Sequence, residues 1–397
     1  MPVELDHLDS SPSSYEFILL GTGTSSSLPH IECLTAPPDD PPCKTCLSTL
    51  QPEGKKNIRR NTSALLRVRR REGDDATIVI DVGKNFQAAA LEWFPKYGLR
   101  KIDAVLITHA HADAMNGLDD LRGWTLNACI QPHVDIYCSQ TTFVEVQRAF
   151  PYLVAKEFAS GGGDVPEFRW HIIDDRVPFV VGETGVKITP FAVHHGRIFN
   201  KSPPPGNLPT PSYSGPSTPI FGRSSPLPPI AHDQINHIQV SAAAPKVDPL
   251  LCFGFKIEEA IIYISDTSYI PEDVWSMVLK PKSQTDSIPV FVVDCLRLTP
   301  HTSHFGLQQA VASVRRLGAK RSYLTGFGHE VTHDEYTEIL SAIGNPEKRS
   351  LSSPSENVLA GLKLIGEGKA QFVRPAYDGL RLYVSAFGDV KNDDDDQ

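Results

Sequence analysis

No apolar run in this 397-residue chain approaches the roughly 20 residues that a membrane-spanning helix needs. The opening residues, Met1 to Ser14, carry Glu4, Asp6 and Asp9 and no apolar core, which suits neither a secretory signal nor an Arg-rich transit peptide. There is no internal repeat of the kind that builds a solenoid. Positive charge is not in excess either. Lys and Arg number 38 against 47 Asp and Glu, a net charge of −9, which argues against a general nucleic-acid surface. These absences predict a cytoplasmic protein, with the nucleus as the alternative, and no membrane partner. Seven cysteines without a secretory signal are expected to be reduced thiols, so clustered ones read as metal ligands before disulfides.

What is present is enough chain for a sizeable core, in one large domain with insertions or in two. A first strand, Tyr15 to Leu20, ends in Gly21-Thr22-Gly23-Thr24-Ser25-Ser26-Ser27. No Walker lysine follows this Gly-rich turn, which weakens a nucleotide reading. Residues 61–68 and 76–81 read as an antiparallel pair, 85–96 as a helix, and 104–107 as a buried strand. Strand 134–138 and helix 142–150 follow. A second strand-rich half opens at Val186–Val193 and resumes with 251–257, 260–266, 290–295 and 322–326, interleaved with helices 270–279, 305–317 and 334–343. Residues 345–357 read as a polar loop before terminal strands near Ala370 and Leu380. Two strand-rich halves flanked by helices predict an α+β four-layer αββα sandwich. The expected organisation is a disordered N-terminus 1–14, one domain over 15–388 with a Pro/Ser-rich disordered insertion at 201–249, and an acidic tail 389–397 containing Asp393 to Asp396.

The chemistry gathers at Thr108-His109-Ala110-His111-Ala112-Asp113-Ala114, directly after the strand 104–107. Two imidazoles and a carboxylate spaced by two at a strand end can converge on a divalent metal. The bland reading, a polar turn with solvated histidines, fits a lone His better than this cluster. His194-His195-Gly196 also follows a strand; adjacent residues there point oppositely, so one of the two histidines can ligate. Asp266 ends another apolar strand, where it is a ligand or an N-cap for the next helix. Cys43-Lys44-Thr45-Cys46 has a zinc-like spacing in a Pro-rich loop, with Cys33 ten residues upstream; a redox dithiol is the alternative.

The run from His109 resembles the His-x-His-x-Asp-His signature of the metallo-β-lactamase superfamily, with Ala114 at the last His. The resemblance implies the same αββα sandwich, a Gly-rich turn after the first strand passing close to the metal, His195 before Gly196 as the third imidazole, and Asp266 as a ligand. It also implies that a second metal would need a His at 114 and a His after Thr325. This chain has Ala114 and Gly326 there. The expectation is therefore one catalytic zinc or manganese on His109, His111, His195 and Asp266, with Asp113 orienting or deprotonating an activated water.

Pro300-His301-Thr302-Ser303-His304 and Gly117-Leu118-Asp119-Asp120-Leu121-Arg122 resemble the branch containing the cyclic ribose-phosphate phosphodiesterase of bacterial phosphonate catabolism. In that branch the position of His304 lies near the substrate phosphate; a capping or core histidine is the alternative. Arg122 reads as structural. The same branch implies a structural zinc on Cys33, Cys43, Cys46 and His329, although the loop between the first two cysteines is longer here. The other four cysteines read as buried apolar residues. The expected activity is metal-dependent hydrolysis of a small or cyclic phosphodiester, with nucleic acid a disfavoured partner. A tRNA 3′-processing-type nuclease and a non-catalytic metal-binding protein of the same fold are the alternatives.

Overall fold

The computed structural model describes residues 14–69, 75–161, 164–198, 248–279, 287–344 and 353–395. The chain divides into two units, Met1–Gly196 with Leu250–Gln397, and Arg197–Pro249. Of the second unit only Arg197, Ile198, Asp248 and Pro249 are described, and the Ile198 N–H donates to the Asp248 carbonyl (2.9 Å). The expected insertion 201–249 and N-terminus 1–14 thus lie outside the described residues, apart from Ser14, Asp248 and Pro249.

The strands in chain order are β1 (Ser14–Gly21), β2 (Ser63–Arg69), β3 (Ala76–Ile80), β4 (Ala104–Leu106), β5 (Val134–Cys138), β6 (Phe168–Ile172), β7 (Phe179–Val180) and β8 (Lys187–Arg197). They continue with β9 (Pro249–Ile257), β10 (Ile261–Ile264), β11 (Val290–Asp294), β12 (Arg321–Thr325), β13 (Val373–Pro375), β14 (Arg381–Ser385) and β15 (Val390–Asn392). One sheet runs β15-β14-β1-β2-β3-β4-β5-β6, the other β13-β12-β11-β10-β9-β8-β7. Six helices matter for packing: α1 (Phe86–Tyr97), α2 (Gln140–Ala149), α3 (Glu272–Val278), α4 (Leu307–Leu317), α5 (His333–Gly344) and α6 (Glu356–Ile365).

The four layers follow from strands that are apolar on both faces. Along β1, Phe17 and Leu19 enter the core between the sheets, while Ile18 and Leu20 enter the core beneath α1. Along β10 and β11, Ile261, Tyr263, Val290 and Val292 face the inter-sheet core; Ile262, Ile264, Phe291 and Val293 face the helical core. Helix α4 supplies that core with Leu307, Ala310, Val311 and Val314, an i, i+3, i+4, i+7 stripe, and stops at Gly318 in the left-handed region (φ 67°). This is the αββα sandwich expected from the sequence.

The differences lie at weakly patterned places. Glu356 and Asn357, expected in a polar loop, open α6, whose Ser355 side chain accepts the Val358 N–H as an N-cap. Val390–Asn392, assigned to the acidic tail, instead pairs with β14. Edge strand β6 carries no clear apolar pattern, because its side chains are half-covered or exposed. Among the described residues no helix is long and apolar enough to cross a bilayer.

β3 through β6 run parallel, as do β10 through β13, so each set brings its carboxyl ends to one edge. The loop after β4 is clamped from below. The Val82 N–H donates to the Ala114 carbonyl and the Gly117 N–H to the Val82 carbonyl, both at 2.8 Å. Gly83 permits this approach, because a Cβ there would stand 2.0 Å from the Asp113 carbonyl oxygen. That carbonyl is backbone, so it cannot swing aside, and Asn61 Cβ stands at 2.8 Å as well. Gly83→Ala is therefore expected to cost about 2–3 kcal/mol in urea unfolding, and to weaken metal uptake at the loop above it, measured by elemental analysis.

Candidate metal centre

His109 leaves β4 under tight control. Asp81, at the end of β3 with left-handed backbone (φ 61°), accepts the Thr108 N–H at Oδ1 and the Thr108 hydroxyl at Oδ2, both at 2.8 Å. With its hydroxyl hydrogen directed at Asp81, Thr108 Oγ1 accepts from His109 Nδ1 at 2.8 Å. That fixes the tautomer and leaves His109 Nε2 with a lone pair, and this atom is buried without a partner. His195 is arranged alike. Its Nδ1 donates to the Ser303 carbonyl (2.8 Å), and its Nε2 lies 3.2 Å from His111 Nδ1.

The three imidazoles pack edge to face, with centroids 4.5, 4.9 and 4.9 Å apart. Two nitrogens on one tetrahedral zinc at 2.0–2.1 Å stand about 3.3 Å apart, so the His111–His195 spacing suits one shared ion. A ring nitrogen held by a carbonyl or hydroxyl while its partner nitrogen faces the site is the usual support for a metal-bound histidine. Asp266, just beyond β10, brings a carboxylate oxygen within 4.8 Å of ligand atoms of His109, and likewise of His195 and His304. It caps no helix, since α3 starts six residues later. His194 points elsewhere; its ring lies against Tyr269 (5.2 Å).

Electrostatics reinforce the donor set. Burial pulls His109 down to about 3 and also lowers His111, so both are neutral donors at ordinary pH. Burial raises the Asp266 carboxyl, but His195, His109 and His304 outweigh it and bring it to about 2. Asp113 is half-buried and raised, first by burial and then by Asp266. His304 follows the opposite course. Burial lowers it, but Asp294 and Asp266 prevail and lift it to about 9, which makes it cationic at neutral pH.

The sequence reading missed two of these neighbours. Asp294, ending β11 and fully buried, contacts His304 Nδ1 at 3.0 Å and accepts the Thr267 and Phe305 N–H groups (3.0 and 3.2 Å). It fixes the imidazole against the site. Its sequence signal was a carboxylate closing a continuous apolar strand. Cys252, read as a buried apolar residue, lies 3.6 Å from His109 Nδ1. Cys138 and Cys295 are buried as expected, whereas Cys129 is exposed, because it sits in the surface turn after Trp124 and not on a strand.

The two positions that lack imidazoles differ in kind. Ala114 is buried in the clamped loop. Gly326 has φ 79°, and a Cβ on it would stand 2.6 Å from Asp294 Oδ1. Arg122 is held by Asp119 (2.6 Å), in keeping with a structural role.

The cysteines form a second cluster. Sγ of Cys33, Cys43 and Cys46 lies 3.2, 3.7 and 3.8 Å from His329 Nδ1. In a tetrahedral zinc site with Zn–S near 2.3 Å and Zn–N near 2.0 Å, that separation is about 3.6 Å. Burial pushes the Cys46 thiol up to about 12, a cost that a bound cation removes. Both donor sets fit metal ions.

Residues 76–210 match the β-lactamase superfamily domain family. An octanoyltransferase of Porphyromonas gingivalis is 30% identical over 183 residues, covering 46% of this chain and 31% of that protein, so the chain spans under a third of it. Among solved structures, a diphosphatase of the PhnP family superposes with a TM-score of 0.57 at 20% identity, covering 93% of this chain and 97% of that one. Zinc-bound PqqB from Methylobacterium extorquens gives 0.54 at 14% identity, covering 92% and 99%. The domain match over residues 76–210 and the shared fold agree with the strand-end cluster of His109, His111 and His195, beside which Asp266 stands: the chain carries a β-lactamase superfamily domain match within a metallo-β-lactamase-like αββα fold.

Proposed function

We propose that the protein is a metal-dependent hydrolase of small or cyclic phosphodiesters, with one zinc or manganese ion on His109, His111, His195 and Asp266. The observation that carries this reading is the pairing of a three-imidazole donor set with His304, held by Asp294, on its rim. The ring of His304 stands 4.8 Å from that of His195. An ion held by the donor set would lower the pKa of a water and polarise the scissile group.

The chain's own residues supply the rest. Asp113, raised by burial beside Asp266, is suited to orient a water and accept its proton. His304, held by Asp294, is suited to stabilise a phosphoryl anion or to protonate a leaving oxygen. The diphosphatase named among the structural relatives also acts at phosphorus, which is consistent with this substrate class. The Cys33, Cys43, Cys46 and His329 set is read as a structural zinc site, the closed Cys₃His type.

The single catalytic ion is supported by the obstruction at Gly326. A side chain there would need left-handed backbone and would strike Asp294, the residue that holds His304. A nuclease acting through two ions is correspondingly disfavoured.

Three outcomes test this reading. Elemental analysis of the purified protein is expected to give about two metals per chain, falling to one in His109→Ala; three in the wild type would overturn the single-ion site. Ala114→His/Gly326→His is expected to gain no further metal, and to lose about 1–2 kcal/mol of stability from the left-handed backbone alone. In a screen of cyclic and nucleotide-derived phosphodiesters, turnover is expected to vanish in His111→Ala and to fall about a hundredfold or more in His304→Gln. Turnover unaffected by His111→Ala, or bound metal without turnover of any phosphodiester, would favour the non-catalytic reading.

A further inference from the structure

The cysteine cluster has a neighbour that the four-ligand reading does not use. His30 stands just before the short helix Ile31–Leu34, and its ring packs on that of His329 with centroids 4.2 Å apart. Its Nδ1 lies 2.8 Å from Glu32 Oε1. Because a carboxylate accepts, Nδ1 carries the proton, and Nε2 keeps a lone pair; that atom is buried and has no partner. A histidine whose far nitrogen is held by a carboxylate is built as metal ligands usually are. The His30 N–H also donates to Cys46 Sγ (3.3 Å), which ties this segment to the thiols.

Two donor sets therefore overlap. Cys33, Cys43, Cys46 and His329 form one, and His30, Glu32, Cys33 and His329 the other; within each, ligand atoms lie within 4.8 Å of one another. The sets share Cys33 and His329. They also differ in access, for the side chain of Glu32 is 67% exposed and that of His30 14%, while Cys46 is fully buried. The His30 set thus lies nearer the solvent, with Glu32 exposed and its other members partly exposed, whereas the cysteine set ends in the buried Cys46.

We propose that Glu32 and His30 are a zinc-capture pair that loads the Cys33, Cys43, Cys46 and His329 set. This rests on reading that set as a zinc site. The ion first takes His30 Nε2, Cys33 Sγ and His329. It then gives up His30 for Cys43 and Cys46, whose thiol protons leave to water. Two ligands stay bound throughout, so the buried Cys46 thiol never meets a bare cation. Glu32 keeps the imidazole in its ligating tautomer.

The test mixes metal-free full-length protein with cobalt(II) and follows the thiolate-to-cobalt charge-transfer absorption, which reports the cysteine set and not the imidazole site. His30→Ala is expected to slow its appearance about tenfold or more, and Glu32→Gln, a change at an exposed residue, to slow it less, with the final amplitude unchanged in both. Wild-type rates in both variants would overturn the proposal. So would a reduced final amplitude in His30→Ala, which would make His30 a permanent ligand. If the wild type develops no thiolate absorption and Cys46→Ser holds as much zinc as the wild type, the zinc site itself is refuted, and the capture role falls with it.

Discussion

The centre depends on one carboxylate. Asp81 binds both the backbone and the hydroxyl of Thr108, and through that hydroxyl it sets which nitrogen of His109 faces inward. The hold is demanding, since it asks a non-glycine residue to sit in the left-handed region. It also joins layers. The Thr108 carbonyl accepts the Phe253 N–H (2.9 Å), so the strand end that bears the metal motif in one sheet is stitched to β9 in the other. The geometry of the imidazoles is thus a property of the sandwich as much as of the motif.

Much of this was legible in the sequence. Continuous apolar strands alternating with helical stripes specify two sheets and outer helices, because neither face of such strands can be left to water. The metal motif was legible because ionisable groups seldom cluster at buried strand ends. Asp294 was not, since its role comes from a loop ten residues away that returns His304 to it. The tertiary position of Cys252 beside His109 likewise has no local signal. Helix α6 was hidden by the polar residues around its start, and β15 by the acidic run that follows it; in both, packing partners distant in sequence outweighed composition.

The charges around the centre form a gradient. His109 and His111 are held neutral by burial, Asp266 is held ionised by imidazoles, and His304 is held cationic by Asp294. Each of these groups thus has its charge set by its neighbours: Asp266 by the imidazoles around it, and His304 by the carboxylates of Asp294 and Asp266. The space beside Gly326 is taken by Asp294, the residue that also holds His304, so a side chain at 326 and the present setting of His304 exclude one another.

The segment Gly326–His329 has a mechanical consequence. Gly326 and Phe327 both donate to the Thr22 carbonyl, Gly328 donates to the Leu296 carbonyl, and His329 then enters the cysteine cluster. Four consecutive residues are anchored to the Gly-rich turn, to the chain beyond Asp294 and to the thiols, with no slack between them. Such a strut works as a ruler: it sets how far the cysteine cluster stands from the His304 wall, and a displacement at either end must be taken up by the other.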